Sequence, residues 1–127
     1  MRVLVVEDEA IVSMLLEEFL EEMGCEITAT ASRFDDALEK ARSLTLDLAL
    51  LDVNLAGRLS YPVAELLLGR GVPVVFSTGY GASALPDALH GVTVLSKPFR
   101  HNQLAAAMQA AREGKCLGED ASAQPAG

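Results

Sequence analysis

The chain of 127 residues is long enough for one domain with a sizeable buried core. Half of its residues are hydrophobic and only 5% are aromatic, so the core must be built from Leu, Val and Ala, a composition that favours helices packed on a sheet over an aromatic-rich β-sandwich. The formal net charge of −8 argues against a nucleic-acid partner, because phosphate backbones are bound mainly through Lys and Arg.

The chain opens with a predicted strand and a predicted helix. Residues 2–6 are apolar after Arg2, as expected of a strand that is buried on both faces of a sheet. From Glu9 to Met23 the apolar spacing becomes helical, and Gly24 is a stop signal. The apolar stripe of this helix combines an i, i+4 series with neighbours that widen it: Ile11, Leu15, Phe19 and Met23, together with Val12, Leu16 and Leu20.

A second strand and a second helix come next. Residues 25–31 predict a strand that is partly polar and therefore lies nearer an edge of the sheet. Ser32 can cap a helix over about residues 33–43. The residues of this helix that should face inward are Phe34, Ala37, Leu38 and Ala41. Residues 46–51 predict the third strand, with Asp47 near its start.

The middle of the chain repeats the alternation. A loop through residues 55–58 leads to a helix from about Tyr61 to Arg70, and Gly71 suits the C-terminal stop of that helix. Residues 73–77 then predict the fourth strand.

The last part of the chain begins with a weak segment. Gly79, Gly81 and Pro86 interrupt residues 79–91, so any helix there should be weak or short. Residues 92–96 predict the fifth strand, and residues 100–113 predict a final helix. The inner positions of that helix are Leu104, Ala107, Met108 and Ala111. Residues 1–113 should therefore form one domain, and the tail over residues 114–127 lacks a core-forming pattern and is expected to be disordered.

These elements predict an α/β fold. Five strand–helix units with short connections imply right-handed crossovers and a flavodoxin-like, doubly wound parallel sheet with the strand order 2-1-3-4-5. In that order the ends of the first and third strands lie side by side. Asp8 and Asp52 should therefore meet, although they are far apart in the sequence.

Cysteine usage and the apolar runs indicate the compartment. Cys25 and Cys116 have no CxxC spacing and no neighbouring His pair, so we expect ordinary thiols in a reducing compartment. The first apolar run ends at Glu7, which is too early for a signal peptide. No apolar stretch approaches the length of a membrane span. We therefore expect a cytoplasmic protein that does not bind membranes.

Polar residues lie at the ends of four apolar runs. These residues are Glu7-Asp8, Asp52, Ser77-Thr78, and Lys97, which stands before Pro98. Ligands gather outside the carboxyl ends of parallel strands, so three carboxylates, a hydroxyl and an ammonium should converge on one crevice. Taken alone, Asp8 could be a helix N-cap and Thr78 could satisfy its own backbone. Those separate explanations do not account for the convergence.

Crowded carboxylates suit a divalent cation and a phosphoryl group. Glu7, Asp8 and Asp52 would repel one another and raise their pKa values, and Mg²⁺ relieves this because it prefers hard oxygen ligands. A carboxylate can also act as a nucleophile and form an aspartyl phosphate. Asp52 is the favoured nucleophile because it ends the central strand, which leaves Glu7 and Asp8 as the pair that binds the ion.

The pattern resembles the receiver domain of two-component response regulators over essentially residues 1–113. The matching runs are VLVVEDE at 3–9, LALLDVN at 48–54, PVVFSTGYG at 73–81 and LSKPF at 95–99. The resemblance implies that Asp52 accepts a phosphoryl group from a sensor histidine kinase. It also implies that Asn54 offers a backbone carbonyl to Mg²⁺ beside the three carboxylates, and that Thr78 and Lys97 contact the phosphoryl group.

The STGYG segment looks like the receiver subgroup with an F-A-T-G-Y type motif, with Ser77 in place of Ala. Many receivers carry Tyr or Phe three residues before the Lys, whereas this chain has Val94, and the usual Thr-Ala pair is Thr78-Gly79. Tyr80 is a candidate replacement for the missing aromatic residue, and the alternative for Tyr80 is an exposed loop residue.

Three functions compete on this basis. The favoured one is a stand-alone response regulator, not an enzyme, that signals to an unknown downstream protein through altered contacts or passes its phosphoryl group to a phosphotransfer protein. The alternative is a receiver fold that is not phosphorylated and serves only as an interaction module. A hydrolase with an Asp nucleophile is disfavoured, because such enzymes carry a DxD pattern after the first strand and this chain has Glu7-Asp8-Glu9.

Overall fold

Five parallel strands form the central sheet of the protein in the order β2-β1-β3-β4-β5. The computed structural model describes residues 1–79, 85–89 and 91–114. The strands are β1 (Arg2–Val6), β2 (Glu26–Ala31), β3 (Leu48–Asp52), β4 (Val74–Thr78) and β5 (Thr93–Ser96). This arrangement confirms the predicted flavodoxin-like sheet and its strand order, with β2 at an edge.

Helices cover both faces of the sheet within the described ranges. They are α1 (Ala10–Glu22), α2 (Phe34–Ser43), α3 (Tyr61–Gly69) and α4 (His101–Arg112). Between β3 and α3, two strands of two residues each, Asn54–Leu55 and Arg58–Leu59, pair as an antiparallel hairpin where the sequence predicted only a loop.

Neighbouring residues of each strand point to opposite faces of the sheet and enter two separate cores. Leu4, Ala49 and Phe76 pack on one side with residues of α2 and α3. Val5 and Leu50 pack on the other side with residues of α1 and α4. Because both faces are covered, the central strands β1, β3 and β4 are buried almost completely, which explains their apolar runs.

The inward face of α1 differs from the prediction. Leu16 and Leu20 are buried against the sheet, but Ile11 is 82% exposed and Leu15 is 39% exposed. Apolar residues cover more of this helix than one sheet face can contact, so packing selects part of the stripe and leaves the rest in solvent.

The predicted cap of α2 is also wrong. Arg33 occupies the N-cap position with an extended backbone and makes no side-chain capping bond, and Ser32 is exposed. Asp35 and Asp36 lie in the first turn, where their negative charges interact favourably with the helix dipole.

The third strand begins two residues later than predicted. Asp47 accepts a hydrogen bond of 2.7 Å from the backbone N–H of Arg2 and is also paired with the Arg2 guanidinium at 3.1 Å. The Asp47 carboxylate thus accepts the hydrogen bond from the Arg2 N–H that a backbone carbonyl would accept if the strand continued.

The segment after β4 contains a short helix, as predicted. Its described residues include a 3₁₀ turn at Asp87–Leu89, anchored by buried Leu85 and Leu89. The expectations for Tyr80, for Cys116 and for the tail beyond Gly114 lie outside the described residues. Cys25 is a free thiol.

None of the helices within the described ranges has the length and the apolar character needed to cross a lipid bilayer.

Candidate functional site

The three carboxylates predicted from the strand ends lie together. Glu7 follows β1 directly, Asp8 comes next, and Asp52 is the last residue of β3. One carboxylate oxygen from each residue lies within 4.8 Å of the other two. Glu7 and Asp52 are buried, whereas Asp8 is exposed. The strand order places the three side chains at one edge of the sheet, as the sequence predicted.

Lys97 brings the only ammonium found among the described residues at this edge. Its Nζ lies 3.1 Å from Glu7 Oε1, 3.3 Å from Asp52 Oδ2 and 3.5 Å from Glu9 Oε1. Its backbone N–H donates a 2.9 Å hydrogen bond to the carbonyl of Thr78, which ties the end of β5 to the end of β4. The peptide bond from Lys97 to Pro98 is cis.

The electrostatics of the site follow from burial and crowding. Burial and, to a smaller extent, the neighbouring Asp52 raise the pKa of Glu7 from 4.5 to about 7, although Lys97 opposes both effects. Burial by itself lowers the pKa of Lys97, but the Glu7 and Asp52 carboxylates outweigh this effect and hold that pKa above its ordinary value. One ammonium is therefore shared by carboxylates that destabilise one another.

This donor set fits Mg²⁺. Glu7 Oε1 is buried and accepts no hydrogen bond from any described residue, although Lys97 Nζ forms an ion pair with it at 3.1 Å. A buried carboxylate oxygen without a donor is costly unless a cation or a proton compensates it. Three carboxylates at one point supply the hard oxygen ligands that Mg²⁺ prefers.

Asp8 is held by the hairpin and does not cap α1. The N-cap position of α1 is Glu9, and no side chain makes the capping bond there. Asp8 Oδ2 instead accepts a 3.0 Å hydrogen bond from the backbone N–H of Ala56 at the tip of the hairpin. Sequence analysis missed this contact, because a backbone donor carries no residue-type signal.

Ser60 fixes the backbone that carries Asp52, and it was also missed. Its buried hydroxyl donates a 2.7 Å hydrogen bond to the carbonyl of Asp52, and its N–H donates a 2.8 Å bond to the carbonyl of Val53. The available signal was a serine directly before a helix that starts at Tyr61, but such a serine reads as an ordinary cap.

The remaining predicted residues lie around this group. Thr78 is buried at the end of β4, where Asp52 pairs with Ser77 and Thr78 pairs with Ser96. The N–H of Asn54 donates a 3.3 Å hydrogen bond to Asp52 Oδ1. The roles of the Thr78 hydroxyl and of the Asn54 carbonyl stay predictions.

Val94 is half-buried in β5 and packs against the core that contains Phe76. It therefore lies on the α2 and α3 side of the sheet, at the position where the resemblance leads us to expect an aromatic residue.

Fold and site together define a receiver domain. The sequence profile of the response regulator receiver domain matches residues 3–109, and the chain therefore belongs to this family. Receiver domains are signalling modules of two-component systems, and phosphorylation and Mg²⁺ binding are general features of the family.

Two curated proteins are similar to this chain in sequence. Transcriptional regulatory protein PdtaR of Mycobacterium tuberculosis is 33% identical over 114 residues, which cover 87% of this chain and 56% of that protein. Nodulation protein W of Bradyrhizobium diazoefficiens is 34% identical over 119 residues, which cover 87% of this chain and 51% of that protein. The chain thus spans about half the length of these curated relatives.

Solved structures agree with the fold. SdrG from Sphingomonas melonis Fr1 superposes with a TM-score of 0.77 at 38% identity, covering 86% of this chain and 93% of that one. The receiver domain of PhyR from Erythrobacter litoralis also gives 0.77, at 30% identity and with 90% and 91% covered. A BeF3-activated conformation of SdrG gives 0.75 at 37% identity, with 87% and 95% covered.

Proposed function

We propose that this chain is a phospho-accepting response regulator in which Asp52 takes a phosphoryl group from a sensor histidine kinase. The observation that carries the proposal is the group of three carboxylates within 4.8 Å of one another that share the ammonium of Lys97. This group stands at the carboxyl ends of the strands, where open parallel sheets bind ligands.

In the proposed reaction, a carboxylate oxygen of Asp52 attacks the phosphorus atom of a phosphohistidine. The bond from phosphorus to the imidazole nitrogen breaks, and the imidazole leaves. Lys97 Nζ, 3.3 Å from Asp52 Oδ2, is close enough to contact an oxygen of the attached phosphoryl group. The Thr78 hydroxyl is proposed as a second contact from the end of β4.

Glu7, Asp8 and Asp52, with the backbone carbonyl of Asn54, are the proposed ligands of Mg²⁺. When bound, this ion supplies positive charge that offsets the charge of the phosphoryl oxygens. The residues of the chain hold the reacting groups in place. Ser60 fixes the Asp52 backbone, and the hydrogen bond from Lys97 N–H to Thr78 O fixes the ends of β4 and β5.

The proposed output is a change in protein contacts or onward phosphotransfer, and the transfer to Asp52 is stoichiometric. The net charge of −8 supports a protein partner over nucleic acid. The similarity to the receiver domain of the PhyR response regulator supports a signalling role.

Incubation with Mg²⁺ and a small phosphoryl donor, followed by intact-protein mass spectrometry, tests the proposal. We expect one phosphoryl group per chain, none in Asp52→Asn, and normal incorporation in Asp47→Asn, which changes an aspartate at the opposite end of β3. No incorporation into a folded wild-type protein would favour the interaction module, and continuous turnover of the donor would favour a hydrolase.

A further inference from the structure

The hairpin between β3 and α3 is closed at its base and at its tip. At the base, Ser60 bonds back to Asp52 and Val53. At the tip, Ala56 and Gly57 have φ angles of 50° and 93°, and the N–H of Gly57 donates a 2.7 Å hydrogen bond to Asn54 Oδ1. The left-handed conformation is unfavourable for a residue with a Cβ, so Ala56 keeps it because the surrounding contacts determine it.

Ala56 is also the residue whose N–H binds Asp8 Oδ2, at 3.0 Å. Asp8 is exposed, and a free carboxylate on the surface would sample several rotamers. The bond from the hairpin tip restrains this carboxylate next to Glu7 and Asp52. The position of the tip therefore decides where the exposed member of the carboxylate group points.

Arg58 connects the hairpin to the rest of the protein. A cleft of about 530 Å³ separates the hairpin from the start of α2, and Arg58 lines it. Its guanidinium carbon lies 3.9 Å from the centre of the Phe34 ring, and its Nη1 lies 3.4 Å from Asp35 Oδ1. A planar guanidinium over a ring is a directional contact that a lysine ammonium reproduces poorly.

We propose that Arg58 is a positioning residue for cation binding, because it holds the hairpin tip that orients Asp8. The inference rests on the proposed function, since it names a residue that tunes the same Mg²⁺ site. Arg58 acts through the backbone of Ala56 and does not touch the three carboxylates.

The sign of the effect separates this role from simple electrostatics. Removing a positive charge near a cation site strengthens cation binding if charge alone matters. Loss of the contact that positions Asp8 weakens cation binding instead. From the usual strength of an exposed cation–π contact we expect Mg²⁺ to bind about two- to fivefold more weakly in Arg58→Ala.

The experiment is a titration of the full chain with Mg²⁺, followed by the amide NMR signals of residues 7–9, with amide hydrogen exchange of Ala56 measured separately in EDTA. The variants are Arg58→Ala, Arg58→Lys and the control Arg42→Ala, which removes the same charge from an exposed pair with Glu39 on α2. Urea denaturation checks that each variant is folded.

We expect Arg58→Ala to weaken Mg²⁺ binding and to speed Ala56 exchange in EDTA by a similar factor. Arg58→Lys should show the same two effects as Arg58→Ala, because it loses the stacking on Phe34 even though it keeps the charge. Arg42→Ala should leave both quantities unchanged. Equal or tighter Mg²⁺ binding in Arg58→Ala, or unchanged Ala56 exchange, overturns the inference. If the wild-type protein shows no Mg²⁺ response at residues 7–9, the proposed function fails first, whereas the exchange result in EDTA still decides whether Arg58 holds the tip.

Discussion

Replacing Glu7 by Gln should stabilise the protein at alkaline pH in the presence of EDTA. The side chain of Glu7 is fully buried, its Oε1 accepts no hydrogen bond from the described residues, and Asp52 lies beside it. Gln has the same shape without the charge. The substitution therefore removes the electrostatic penalty and keeps the packing.

The magnitude and the pH window follow from the pKa of Glu7, which burial and Asp52 raise from 4.5 to about 7. The folded protein binds this proton more tightly than the unfolded chain, so ionisation of Glu7 lowers stability. The cost is absent below the ordinary pKa and complete above the raised one. A shift of this size corresponds to about 3 kcal/mol, and this figure already includes the opposing attraction of Lys97. We expect Glu7→Gln to be more stable than wild type by about 3 kcal/mol at about pH 8, with the difference falling below about 1 kcal/mol at about pH 5.

Urea denaturation followed by far-ultraviolet circular dichroism measures this difference. Glu18→Gln is the matched control, because it removes the same charge from an exposed position of α1. Saturating Mg²⁺ should stabilise the wild-type protein more than Glu7→Gln. A variant that is less stable than wild type at about pH 8, or a difference that does not change between about pH 5 and about pH 8, would show that Glu7 is not held in this environment.

Three further predictions concern the surrounding structure. Ser60→Ala should cost about 1–3 kcal/mol in urea denaturation, because it leaves a buried carbonyl without its hydrogen bond. The Asp47→Asn variant should lose stability relative to wild type at neutral pH but not in strong acid, since Arg2 lowers the pKa of Asp47 to about 2 and this contribution disappears as the pH falls through that value; thermal unfolding across the acidic range would show it. Leu20→Ala should cost about 2–5 kcal/mol, whereas Ile11→Ser, on the exposed face of the same helix, should change the denaturation midpoint little.

The sequence predicts the carboxylate group well because of the geometry of parallel sheets. The central strands β1, β3 and β4 contain apolar runs, and the first polar residue after each run marks the carboxyl end of the strand. Because all five ends lie at one edge, Glu7, Asp52 and Lys97 can be brought together from their positions after such runs alone. The distances from Lys97 Nζ of 3.1 Å to Glu7 and 3.3 Å to Asp52 agree with that reasoning.

The same reasoning failed where several apolar residues compete for one surface. On α1 the stripe from Ile11 to Met23 is wider than the strip that the sheet can cover, and only the packed structure selects Leu16 and Leu20 over Ile11 and Leu15. Sequence reasoning also failed where a backbone group, and not a side chain, makes the contact with a site residue. The N–H of Ala56 reaches Asp8 across 48 residues, and nothing in the identity of an alanine indicates such a bond.

The charges around Lys97 suggest how phosphorylation at Asp52 would change the protein. The ammonium of Lys97 forms ion pairs with Glu7, Asp52 and Glu9, and Glu9 is the N-cap residue of α1. A phosphoryl group carries a charge of about −1.5 to −2 and three strong acceptor oxygens, so it competes for this ammonium more effectively than the partly exposed Glu9, 3.5 Å away. Under the proposed function, Lys97 would leave Glu9 first, because that contact is the longest of the three and the most exposed to solvent. The start of α1 would then lose its tie to the end of β5, while the backbone bond from Lys97 N–H to Thr78 O keeps β4 and β5 joined.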